Sequence, residues 1–244
     1  MKIRQIDSVN STNTYIKENP SAVEAMTMLT AYEQFAGRGQ RGNYWEAEPG
    51  KNLTFSFHFK PEGVEPTEQF AISEAVALAI TDYLEECGIE AKVKWPNDIY
   101  AGNRKISGIL IEHSILGREI SRTIAGVGLN VNQTEFRSDA PNPVSMAMLT
   151  GKEYSLQREA EKLGTHFEKK LSLIGSEEGR AKLHGEFLSK LWRHDGEFHL
   201  FEDMRTGEKF KGKIATVIPS GLLEIKKESG QTDRFAFKEI GFIV

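Results

Sequence analysis

Hydrophobic and polar positions alternate most cleanly over Asn52 to Lys60, where Leu53, Phe55, Phe57 and Phe59 share one face of an extended segment and Thr54, Ser56, His58 and Lys60 the other. The pattern predicts a half-buried strand, with His58 on its polar side, solvated or hydrogen-bonded rather than bound to a metal. A period near 3.6 follows in Phe70, Ala71, Ala75, Leu78, Ala79 and Leu84, which predicts a core helix over 67–86 stopped by Gly88. Residues 1–6 and 25–32 read as strands, with a short helix ending at Lys17 between them and a Ser or Thr of 8–12 as its N-cap. Lys92 to Trp95 alternates as a strand that Pro96 stops. Turn residues follow, and the apolar run Ile106 to Ile111 starts another strand, giving strand, tight corner, strand. A hairpin turn at 116–119 leads to a strand ending in Ala125-Gly126-Val127-Gly128-Leu129-Asn130. Residues 133–150 read as a loop, 156–174 and 177–192 as helices, and the chain after His194-Asp195-Gly196 as five short strands separated by Gly-containing turns. Those strands predict a small β-barrel, hence a division into residues 1–194 and 195–244.

Bulk properties narrow the function classes. Lys and Arg number 31 against 35 Asp and Glu in 244 residues, a net charge of −4, so no global basic field draws the chain to nucleic acid or anionic lipid. Cys87 is the only cysteine, which excludes an internal disulfide and a multi-cysteine zinc site and fits a packing role in a reducing compartment. With no export signal and no apolar run of membrane length, the expected location is the cytoplasm.

Three stretches carry candidate chemistry. Asp7 to Asn13 is almost wholly small and polar, more than helix capping requires, and suggests hydroxyl and amide groups around a neutral polar ligand. Gly37-Arg38-Gly39-Gln40-Arg41-Gly42-Asn43-Tyr44-Trp45 matches G-x-G-x-x-G literally, yet no helix follows to aim its N-terminus at a pyrophosphate, and no Lys-Ser/Thr follows Gly42 as a P-loop demands. Two readings stand: a mobile surface turn, or a glycine loop whose backbone amides and arginines hold an anion. The corner at 94–112 gathers Asp98, Arg104 and Lys105 beside Gly108, a set suited to phosphate chemistry or, on spacing alone, to a charged surface hairpin.

The full string Lys-Trp-Pro-Asn-Asp at 94–98 and Lys-x-x-Gly-Ile-Leu-x-Glu at 105–112 resembles the signature of biotin protein ligases. Ser11-Thr12-Asn13, the glycine loop running to Trp45, and Gly126-x-Gly128-x-Asn130-Val131 resemble other motifs of that family in order. The resemblance implies an α+β fold: a class II aminoacyl-tRNA-synthetase-like catalytic domain, a mixed sheet with helices, plus a small C-terminal SH3-like β-barrel. It implies a two-step reaction in which biotin's carboxylate attacks the α-phosphate of ATP to give biotinyl-5′-AMP and pyrophosphate, after which a lysine of a biotin carboxyl carrier domain displaces AMP. Carried over, Lys105, Asp98 and Arg38 are catalytic. Biotin falls to Ser11, Thr12, Asn13, Gln34, Arg38, Gly39, Gln40, Lys105 and Gly108, and ATP to Arg38, Arg41, Trp45, Asn97, Lys105 and Asn130. Mg²⁺ is expected with the ATP, near Asn130. Gln40 departs from the family, which has a second arginine there that helps retain the adenylate. Phe237-Lys238-Glu239-Ile240 matches only loosely the family's Gly-Glu-Val near the end of the barrel.

Only ten residues precede Ser11, so the DNA-binding module of the repressor members is not expected. A homodimer is compatible with the resemblance. Lipoate ligases share the fold and chemistry but have an apolar substrate end with no need of a Ser-Thr-Gln set. A non-catalytic relative that binds RNA through its barrel is the rival of another class, and the balanced charge opposes it.

Overall fold

Phe55 and Phe57 fix the layering, because their rings meet Phe167 at centroid distances of 5.8 and 5.0 Å and tie a central strand to a helix far along the chain. The computed structural model describes residues 1–40, 44–137 and 142–243. In chain order the elements are β1 (Lys2–Val9), α1 (Thr12–Glu18), β2 (Thr27–Gln34), β3 (Leu53–Phe59), α2 (Phe70–Glu86), β4 (Lys92–Lys94), β5 (Asp98–Ala101), β6 (Arg104–Leu116), β7 (Glu119–Leu129), α3 (Met146–Thr150), α4 (Leu156–Leu171), α5 (Glu177–Ser189), β8 (His199–Asp203), β9 (Glu208–Val217), β10 (Leu223–Lys227), β11 (Thr232–Phe235) and β12 (Ile240–Phe242). A seven-stranded sheet runs β1-β2-β3-β7-β6-β5-β4, with β1 parallel to β2 and every other pair antiparallel. Helices α2, α4 and α5 cover one face and α1 lies on the other.

Helix α2 is buried nearly all round, and Gly88 ends it at φ +79°, a left-handed turn open to glycine. Its acidic groups Asp82 and Glu74 are paired with cations from α4 and α5. Lys170 on α4 bridges Asp82 of α2 and Glu186 of α5, and Lys190 adds a second link to Asp82 at 2.6 Å. Glu74, buried on α2, meets His184 Nδ1 of α5 at 2.8 Å. Cys87 is half-buried at the end of α2, and burial pushes its thiol up, as befits a packing residue rather than a nucleophile.

Three expectations need correction. β3 is buried on both faces, since α1 covers the side bearing Thr54, Ser56 and His58, and His58 Nε2 meets the Val23 carbonyl at 2.8 Å. The corner at 96–104 holds an additional strand, β5, between two turns. The loop after 133 contains helix α3, whose N-cap Ser145 accepts from the Met148 amide.

The C-terminal strands form an antiparallel sheet ordered β11-β10-β9-β8-β12. Among the described residues β11 and β12 do not pair with each other, so the predicted barrel is an open five-stranded sheet by its hydrogen bonds. Its apolar face, with Phe201, Phe210, Ile225 and Phe235, joins the same core as α2 and β6. Trp95 Nε1 donates to the Gly221 carbonyl at 3.0 Å, and the Arg193 guanidinium donates to the Ile243 carbonyl. The second sheet is thereby anchored against the Trp95-Pro96 corner.

Register places small residues in a row across the first sheet. Thr54 of β3 lies opposite Gly128 of β7, which lies opposite Gly108 of β6, which lies opposite Asp98 of β5. One step along, Ser56 faces Gly126 and Gly126 faces Leu110. A side chain at Gly126 would collide with the Asn13 carboxamide, and one at Gly128 with the Trp45 indole. The glycines of β7 therefore admit the protein's own side chains to the sheet surface.

Two expectations follow. Gly128→Ala should lower stability by about 1–3 kcal/mol by overpacking against Trp45, read by denaturant unfolding; an unchanged midpoint would show that the indole moves at no cost. The His184 imidazole is held protonated above its ordinary 6.5, first by its hydrogen bond to Glu74, and burial holds Glu74 above its ordinary 4.5. Both groups bind protons more tightly folded than unfolded, so the pair's contribution to stability falls as pH rises through these ranges. Melting temperature against pH should slope downward above about 6.5 in the wild type and flatten in Glu74→Gln; equal slopes would remove the pair from the account.

Candidate functional site

The small-residue row floors a cavity of about 360 Å³, within the size range of ligand pockets. β3, β6 and β7 supply the floor, α1 and the end of β2 one wall, the glycine loop a second, and the Trp95 corner with the β11–β12 turn a third. The described lining includes Ser11, Thr12, Asn13, Gln34, Arg38, Gly39, Gln40, Trp45, Asn97, Asp98, Lys105 and Gly108, so twelve predicted residues meet in one space. Arg41 lies outside the described residues.

One end of the cavity is neutral and hydrogen-bonding. Ser11 is the N-cap residue of α1, yet its side chain makes no capping bond, correcting the expectation that a hydroxyl is spent on the helix. Its hydroxyl has no partner among the described residues, although the residue is buried. Gln34 accepts through Oε1 from the Thr12 amide at 3.0 Å, and its Nε2 is uncommitted among the described residues. Thr12 and Asn13 are already engaged. Thr12 Oγ1 lies 2.6 Å from Ser56 Oγ, Ser56 donates to Asn13 Oδ1 at 2.5 Å, and Asn13 Nδ2 donates to Glu112 at 2.9 Å. Asn13 thus braces the wall through both of its polar atoms while lining the cavity. Ser56 and Glu112 complete this chain; Glu112 closes the 105–112 motif, whereas Ser56 was not singled out by sequence, and the polar face of β3 was the available signal.

The other end is cationic. Lys105 Nζ pairs with Asp98 Oδ1 at 2.7 Å, with both side chains about a fifth exposed, and lies 5.6 Å from the Trp45 ring centre. Strict alternation would send Lys105 and Gly108 to opposite faces. Register supplies the reason they meet: Ser107 pairs with Ile99 and Lys105 with Tyr100, leaving Ile106 as an extra residue in β6. This bulge re-aims Lys105 toward Gly108, where a Cβ would come within 3.4 Å of its Cε. Arg38 is exposed at the rim, with Nη1 3.5 Å from Thr14. Asn97 serves the backbone, donating from Nδ2 to the Ile109 carbonyl at 2.7 Å and accepting from the Ile109 amide through its own carbonyl.

Two more cations line the cavity. Lys94 Nζ donates to the Tyr100 hydroxyl at 2.9 Å and sits over the Tyr100, Trp192 and Phe242 rings at 4.7, 5.7 and 5.5 Å. Burial among them lowers its pKa. Lys238 arrives from the turn before β12 with φ +70°, a left-handed conformation that costs a non-glycine residue about 1–2 kcal/mol. Arg38, Lys94, Lys105 and Lys238 thus face one carboxylate, Asp98, among the described lining residues.

Two further predicted residues carry buried polar atoms. Trp45 packs on Gly108 and Gly128, and its buried Nε1 has no hydrogen-bond partner among the described residues. Asn130 is not among the residues lining the cavity; its Nδ2 donates to the Val144 carbonyl at 3.1 Å, and its buried Oδ1 is unpartnered among the described residues. Among the described residues no group of three or more His, Cys, Asp or Glu gathers as a metal cage.

Comparison with known proteins gives this geometry a context. The chain is 31% identical over 204 residues to biotin–protein ligase 1, chloroplastic, of Arabidopsis thaliana, covering 80% of this chain and 53% of that protein. It is 32% identical over 149 residues to the biotin–[acetyl-CoA-carboxylase] ligase of Paracoccus denitrificans, covering 58% of this chain and 61% of the relative. The chain spans about half the length of the first curated relatives it matches. In structure it is similar to the biotin protein ligase of Aquifex aeolicus in complex with biotin and ATP, with a TM-score of 0.81 at 26% identity over 98% of this chain and 97% of that one. Residues 5–130, which hold the polar wall, the glycine loop, the Lys105–Asp98 pair and the glycine floor, match the Biotin/lipoate A/B protein ligase family, and the chain belongs to that family.

Proposed function

We propose that this protein activates biotin with ATP as biotinyl-5′-AMP and transfers the biotinyl group to a lysine of a biotin carboxyl carrier domain. The observation that carries the proposal is the cavity's division into a neutral hydrogen-bonding end and an end with four cations to one carboxylate, in a chain of net charge −4. A ligand with an uncharged polar ring at one end and a carboxylate at the other fits that division. The uncommitted Ser11 hydroxyl and Gln34 amide would pair with the ureido ring, and an analogue lacking those groups would leave buried polar atoms unpaired.

The first step brings two anions together. A cation about 4 Å from a phosphate oxygen contributes roughly 4 kcal/mol at an intermediate dielectric, before desolvation is subtracted. Lys105 is positioned to bridge biotin's carboxylate and the α-phosphate, with Arg38 and Lys94 adding positive charge. As the incoming anions draw Lys105 away, Asp98 loses its partner and becomes a free carboxylate in a cationic space. It can then orient the carrier's ammonium and accept its proton, releasing the amine that attacks the acyl carbon while AMP departs.

Mg²⁺ enters with the nucleotide. The orphaned Oδ1 of Asn130, two residues beyond Gly128, is a single acceptor oxygen suited to such an ion, and the described residues supply no carboxylate cage for it. The ion would neutralise phosphate charge on the leaving pyrophosphate. Residues 195–244 form a second unit in this reading, with one face of their sheet anchored to the core and the β11–β12 turn at the cavity.

Lys105→Ala should lower biotin-dependent ATP–pyrophosphate exchange by about a hundredfold or more. Near-wild-type exchange in a folded variant would refute the bridging role, and exchange driven by lipoate instead of biotin would refute the substrate.

A further inference from the structure

Lys238 combines three features that the reaction as described leaves unused. It is one of four described non-glycine residues with positive φ, it lines the cavity, and it has no ion pair among the described residues. Its nearest charge-related contact is a distant one, with Nζ 6.0 Å from the centre of the Phe237 ring. The turn that presents it is firmly held by its neighbour: Glu239 accepts from the Ala236 amide at 2.8 Å, the Glu239 amide donates to the Ala236 carbonyl at 3.0 Å, and Arg205 approaches the same carboxylate at 3.8 Å. Glu239 is committed to the turn, and Lys238 is the charge left at its tip. A left-handed lysine where glycine or asparagine would sit without strain is the sort of local cost that persists where a side chain is needed.

The glycine loop supplies the complement. Gln40 lines the same cavity from the glycine loop and carries no charge where an arginine would be expected from the resemblance. The loop is one cation poorer, and the turn before β12 is one cation richer. From this pairing we infer that Lys238, delivered by the C-terminal sheet, holds the phosphoryl group of the bound adenylate and takes over the retaining role of the cation missing at Gln40. The C-terminal sheet then contributes a ligand-binding residue, beyond any structural part it plays. This inference rests on the adenylate-forming reading above.

The test compares the wild type with Lys238→Gly, Lys238→Asn, Lys238→Arg and the double variant Lys238→Gly with Gln40→Arg. Glycine and asparagine both suit the left-handed turn, so these variants should melt no lower than the wild type. Labelled biotin and Mg-ATP generate the intermediate in place, and its release is followed by dilution into unlabelled biotin. Lys238→Gly and Lys238→Asn should release adenylate about tenfold faster, the scale of one charge-assisted hydrogen bond to phosphate. Lys238→Arg and the double variant should restore slow release. Equal release from the wild type and Lys238→Gly would overturn the inference while leaving the enzyme's activity intact. If the wild type formed no adenylate, the adenylate-forming reading would fall. Titration of Mg-ATP into the same proteins by calorimetry would still decide Lys238: unchanged affinity overturns its role, and weakened affinity supports it.

Discussion

Lys105 and Asp98 lie 2.7 Å apart in a partly exposed cavity, and the rest of the site is arranged around what that ion pair can become. In the free protein the pair satisfies both groups. When an anion enters, the lysine has a better partner available, and every displacement of the lysine exposes a carboxylate. In the proposed reaction one contact would serve two successive needs of opposite sign: a cation for the step that joins two anions, and an anion for the step that receives an ammonium. Neither state requires movement of the sheet, because β5 and β6 hold the two backbones in register on either side of the Ile106 bulge.

That bulge also explains why part of the site was hidden from a reading of the chain. Alternation alone sends Lys105 to the face opposite Gly108, and nothing in Lys-Ile-Ser-Gly signals the extra residue. The resemblance to known ligases, not the period of the strand, brought the two together. The glycines at 126 and 128 were visible as a break in strand propensity, but what they admit, Asn13 and Trp45, comes from segments far away in the chain. Ser56 and Lys94 were missed for a related reason. Ser56 reads as the polar face of an ordinary strand, and only the packing of α1 over it makes that face an interior. Lys94 reads as the start of a motif, while its cage of Tyr100, Trp192 and Phe242 is assembled from three separated segments.

The elements themselves were far more legible than their faces. Strand β3, helix α2, the paired helices α4 and α5 and the five C-terminal strands follow from local periodicity and turn residues, which act over a few positions. Burial of the second face of β3, the anchoring of the C-terminal sheet on Trp95, and the convergence of four cations depend on tertiary contacts that no window of sequence contains. Sequence pattern specifies what each segment is, and the stacking of layers decides which of its surfaces meets a ligand.

The floor of the cavity has a consequence of its own. At Gly108 and Gly128 the strands carry no side chain and the Trp45 indole rests directly on them, so the depth of the pocket there is set by one aromatic plane seated on two hydrogen-bonded strands. Walls made of a glycine loop and a turn from another sheet are free to vary around that rigid base. Divergence in such a fold would be expected to retune grip and lifetime of what is bound at the rim, while the space available beneath it stays constant.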